Sequence, residues 1–129
     1  ITDLKLHSDW HYKSGITPDK LRRDIATNTT VIEPITEDKF LCSFSHIFAG
    51  GYSAGYYSYK WAEVLSADAF AAFEEVGLDN KIEITKKGRL FKETILSLGG
   101  SQNPEKIFVS FRGRKANTTA LIRHLGLNH

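Results

Sequence analysis

The sequence predicts a mostly α-helical chain with, at most, a short strand near residues 82–84. Three observations carry this: apolar residues recur at helical spacing in the long segments, period-2 alternation is nearly absent, and the breaks between segments are helix punctuation. Ile1 to His7 reads as a helix tail. A second helix opens at Thr17-Pro18-Asp19, where a threonine can cap free amides and a proline suits the first helical position, and it runs to about Asn28. Residues 31–39, broken by Pro34, read as a connecting loop. The centre, Phe40 to Val76, is interrupted by Gly50-Gly51, a pair that permits a sharp turn or hinge, and Gly77 closes it. Thr85 to Leu98 reads as a helix weakened by Gly88, with Ile82 to Ile84 before it as the candidate strand. Asn103-Pro104 opens another helix that stops near Gly113, and Asn117 caps a last one ending at Gly126.

Composition excludes several classes. With 129 residues the chain suits one domain, and 17 basic against 15 acidic residues give a net charge of only +2. The one dense basic patch, Arg112, Arg114 and Lys115, is too short to track a phosphate backbone and reads as a solvated helix end, so no nucleic acid is expected as a partner. No stretch approaches the roughly 18 apolar residues of a membrane span. Cys42 is the only cysteine, which excludes an internal disulfide and suits a reducing, cytoplasmic compartment. The chain has no methionine and starts at Ile1, and is read as a piece of something longer.

Between Tyr52 and Val76, taken as one helix at 100° per residue, two opposed stripes appear. Tyr57, Trp61, Val64, Leu65, Ala72 and Val76 form a core face with Asp68 set within it. Tyr52, Tyr56, Tyr59 and Glu63 form the other. That second stripe reads either as a helix buried on both sides or as the polar wall of a cleft, where phenols converge with His46 across the glycine turn and donate to a developing oxyanion. His7 and His11 stand four apart like ligands on a zinc helix, but Ser8 occupies the place where such a helix needs glutamate, so a frayed helix end is the better reading and no metal site is expected. His124 and His129 suit the C-terminal end of a helix dipole. Cys42 reads as a buried, inert thiol rather than a nucleophile served by His46. The Asn28-Thr29-Thr30 and Asn117-Thr118-Thr119 sequons are the kind that arise by chance.

The run from Phe44 to Phe70, FSHIFAGGYSAGYYSYKWAEVLSADAF, resembles the thimet oligopeptidase family, especially its oligopeptidase A and dipeptidyl carboxypeptidase branches. The flanks agree, from Leu6-His7 through Gly99-Gly100-Ser101 to Phe111-Arg112-Gly113-Arg114 and Leu125-Gly126-Leu127. The resemblance implies that residues 1–129 are the C-terminal part of the catalytic domain of a zincin-like, clam-shaped peptidase that cuts short peptides in a deep channel. It implies a zinc ion held by a His-Glu-x-x-His helix and a further glutamate, elements that this sequence lacks and that are expected upstream. It further implies catalytic roles for His46, Tyr52 and Tyr59 at the substrate backbone and tetrahedral intermediate, with Tyr56, Gly50 and Gly51 as substrate-binding positions.

The expected function is therefore the substrate-gripping, oxyanion-stabilising portion of a zinc oligopeptidase, inactive alone and working with the upstream part of the same peptidase on the same or a separate polypeptide. The alternative is a stand-alone peptide-binding helical domain without catalysis. A metal enzyme built on His7 and His11 is a third hypothesis.

Overall fold

The computed structural model describes residues 1–127, which leaves His129 outside the described residues. Its regular structure is helical throughout: α1 Thr2–Ser8, α2 Pro18–Thr29, α3 Phe40–Ser43, α4 Ser58–Glu74, α5 Lys81–Phe91, α6 Pro104–Arg112 and α7 Thr119–His124. A 3₁₀ turn, Ser45–Ile47, follows α3, and a π-helical turn, Lys92–Leu96, continues α5. No strand occurs among the described residues, so Ile82 to Ile84 are helical. Asn80 decides this, because its side chain caps the amide of Glu83 and commits the β-branched pair to the first turn of α5.

Local capping explains several boundaries. Thr17 accepts from the Lys20 amide, and Asn103 accepts from those of Glu105 and Lys106 ahead of Pro104. Gly113 ends α6 at φ 73° and Gly77 turns the chain after α4 at φ 83°, a region open to glycine at little cost. At α7 the cap position is Thr118, while the Asn117 side chain accepts from the Thr119 amide.

The chain divides into two compact units, Ile1–Tyr59 and the residues from Lys60 onward. In the first, Leu6, Ala26 and Ile47 are the buried apolar residues. Arg23 holds the loop after α2 by donating to the carbonyls of Pro34, Ile35, Thr36 and Asp38. Buried Arg22 reaches Asp19 and Asp38.

In the second unit Ala67, Ala71 and Ala120 pack together, and Phe73, Phe91 and Phe111 form a ring cluster with centroids 5.3–6.2 Å apart. Of the predicted core face, Val64, Asp68 and Ala72 are buried, but Tyr57 and Trp61 are exposed. Tyr57 precedes α4, which starts at Ser58, and Trp61 lies in the first turn of that helix.

The basic patch is likewise not a solvated helix end. Asp68, wholly buried, accepts from Arg112 Nε, from both terminal nitrogens of Arg114 and from the Asn117 amide, at 2.6–3.1 Å. Arg112, its side chain only 4% exposed, also grips both Glu75 oxygens. Burial pushes the Asp68 carboxyl up, but the Arg114 bonds, the Asn117 amide and both arginine charges outweigh it and hold the group below its ordinary range. Lys115 is solvated, pairing with exposed Glu105.

Candidate active site

The site begins with a glycine requirement. A Cβ on Gly50 would stand 2.7 Å from the His46 Cα and 3.0 Å from its carbonyl oxygen, closer than real Cβ contacts allow. Only glycine lets the chain fold back onto His46 here. Gly51 then adopts φ 80°, and the Tyr52 amide donates to the His46 carbonyl at 3.0 Å. The pair thus forms a tight turn that brings Tyr52 beside His46. Gly50→Ala is expected to open that turn at a cost of about 1–3 kcal/mol, read as faster amide exchange at Tyr52 with exchange in α2 unchanged.

Residues 52–57 are not helical. They form a non-helical turn in which Gly55 donates to the Tyr52 carbonyl and Ser58 to that of Gly55, before α4 begins. Ala54 sits at φ 54°, the only non-glycine residue at positive φ among those described. The Asp3 carboxylate, buried in α1, accepts from the amides of Ala54 and Tyr56 at 2.9 and 3.0 Å. Ser53 Oγ donates to the Ile47 carbonyl.

These ties gather four predicted side chains. The His46 ring lies 6.2 Å from Tyr52 and 5.8 Å from Tyr56, centroid to centroid. Tyr59 lies 5.2 Å from Tyr52 and 5.1 Å from Tyr56. Phe44, which sequence reasoning passed over, packs edge-on against Tyr56 at 4.7 Å and backs the cluster. Tyr59 is 45% exposed and His46 is exposed, so the cluster is not a sealed core. The neighbouring Tyr52 hydroxyl, with partial burial and the Tyr56 hydroxyl, holds the Tyr59 phenol above its ordinary value of 10.0. At neutral pH Tyr59 is therefore a hydrogen-bond donor. Glu63, the fourth member of the expected stripe, pairs instead with Lys60.

The other candidates fall elsewhere. Cys42 is exposed, not buried, because the single turn of α3 buries none of its residues. His7 stands 2.9 Å from Asp3 Oδ1, and His11 lies beyond α1 in a turn. Among the described residues no three His, Cys, Asp or Glu side chains converge as metal ligands, and no helix is long and apolar enough to cross a membrane.

The sequence profile described as Peptidase family M3 matches residues 1–127. The chain belongs to peptidase family M3. It is 54% identical to a protein named probable cytosolic oligopeptidase A from Arabidopsis thaliana, over 97% of this chain and 18% of that protein. It is equally, 54%, identical to one named organellar oligopeptidase A, chloroplastic/mitochondrial, from the same plant, over 97% of the chain and 16% of that protein. Oligopeptidase A of Escherichia coli is 42% identical over 98% of the chain and 18% of its own length. The chain thus spans under a fifth of the length of these curated relatives.

Proposed function

We propose that the chain forms the substrate-holding part of an M3 metallo-oligopeptidase that hydrolyses short peptides. His46, Tyr52 and Tyr59 grip the scissile carbonyl and stabilise the oxyanion that forms on it. Tyr56, Gly50 and Gly51 bear on the peptide backbone. The observation that carries this reading is the convergence of three phenols and an imidazole in one accessible cluster. Preorganised donors of this kind act where charge develops in the transition state, each contributing up to about 3 kcal/mol.

Membership in family M3 and the names of the relatives support peptides as the substrate class. The zinc that the family resemblance implies does not fit the described residues, since they offer no convergent ligand set. In this reading the metal is held by another part of the peptidase, upstream on the same polypeptide or on a separate one. The chain is inactive without that part. A cytoplasmic location suits the free thiol of Cys42, and the plant relatives' names divide between cytosol and organelles.

The test is steady-state kinetics of the complete peptidase with Tyr52→Phe and His46→Ala. Each is expected to lower kcat by about 10- to 100-fold, with KM within about threefold of the parent and metal content unaltered. Unchanged turnover in both variants would remove the proposed role.

A further inference from the structure

The turn that carries Tyr52 and Tyr56 has no helix or sheet ladder of its own. Its geometry nonetheless includes Ala54 at φ 54°, a conformation disfavoured for a residue with a Cβ. Something outside the turn must hold it. The tie that reaches it from furthest along the chain is Asp3, 51 and 53 residues away, whose two carboxylate oxygens take one amide each, Oδ1 that of Ala54 and Oδ2 that of Tyr56. The Asp3 residue is itself 5% exposed, and His7 Nδ1 on the next turn of α1 bonds its backbone carbonyl at 2.8 Å and lies 2.9 Å from Oδ1 of its carboxylate. Charge-assisted bonds to backbone amides are about twice as strong as neutral ones, and both act on the residues flanking Gly55.

From this we propose that Asp3 is a positioning residue for the active site: its carboxylate clamps residues 54–56 in the strained turn and thereby sets Tyr56 and Tyr52 against His46 and Tyr59. Asp3 touches no substrate. This inference rests on the proposed role of the tyrosines.

In the complete peptidase, Asp3→Asn keeps the shape and one acceptor oxygen but loses the charge and one amide bond. It is expected to lower kcat about tenfold with KM within about threefold, and to speed amide exchange at Ala54 and Tyr56 about tenfold while α2 is unaffected. Adding Ala54→Gly relieves the backbone cost of the turn and is expected to restore about threefold of the lost kcat. Ala54→Val, which leaves Asp3 intact and penalises the same φ, is expected to reproduce the kinetic defect, and it serves where Asp3→Asn fails to fold. Slow exchange at Ala54 and Tyr56 in Asp3→Asn would overturn the clamp. So would full kcat in Asp3→Asn or in Ala54→Val alongside an impaired Tyr59→Phe, and so would the absence of any rescue by glycine. Full kcat in Tyr59→Phe would instead overturn the reading of the tyrosines, and this inference with it.

Discussion

Replacing Tyr59 by phenylalanine in the complete peptidase is expected to lower kcat by about 100-fold, with KM within about threefold and bound metal unchanged. The substitution removes one hydroxyl and keeps the ring, so the centroid contacts to Tyr52 and Tyr56 at 5.2 and 5.1 Å survive. In the proposed role, what is lost is a donor whose bond strengthens only as the carbonyl oxygen gains charge, which puts the defect on kcat. The phenol's acidity adds a second signature. Because Tyr52 and partial burial hold it above 10.0, any loss of activity from its ionisation belongs above that pH in the parent, and Tyr59→Phe lacks that alkaline limb. A KM defect with kcat retained would mark Tyr59 as a ground-state contact only.

Asp68→Ala is expected to destabilise the second unit by about 3–5 kcal/mol, because removing one partner of a buried ion pair leaves the others without compensation. Arg112 would face only Glu75, and the Asn117 amide would lose its acceptor. Amide exchange in α6 and α7 reads the effect, since Arg112 closes α6 and Asn117 precedes α7. Asp68→Asn keeps an acceptor and is expected to cost less. Acid should weaken the same network in the parent. The folded carboxyl titrates below its ordinary value of 3.8, so its contribution is complete above that pH and is withdrawn as the pH falls through the lowered folded value. A loss under about 1 kcal/mol on Asp68→Ala would mean that water already screens the network.

What the sequence made legible was local. Thr17, Asn103-Pro104 and Gly113 set helix ends through neighbours within four residues, and all three act as read. The clustering of the tyrosines with His46 was also legible, although for a partly mistaken reason. The stripe of Tyr52, Tyr56 and Tyr59 assumed one helix from Tyr52, whereas α4 starts at Ser58. The rings still meet, because the Gly50-Gly51 turn and the one at residues 54–56 return the chain to His46. Ile82 to Ile84 were misread because β-branched residues look extended when the cap at Asn80 is passed over. Two features were out of reach. Asp68 meets Arg112 and Arg114 across 44 and 46 residues, and Asp3 meets the tyrosine turn across 51 and 53. No periodicity encodes which distant charge an arginine or an amide will find.

The central claim, that the cluster of His46, Tyr52 and Tyr59 binds the transition state more tightly than the substrate, is tested most directly with a phosphinic peptide, a tetrahedral mimic of the intermediate. Its inhibition constant would be measured against the parent peptidase and against Tyr52→Phe, Tyr59→Phe and His46→Ala. The prediction is that the inhibition constant rises in each variant by about the same factor as kcat/KM falls. An inhibition constant that stays at the parent value while kcat/KM drops would contradict the claim.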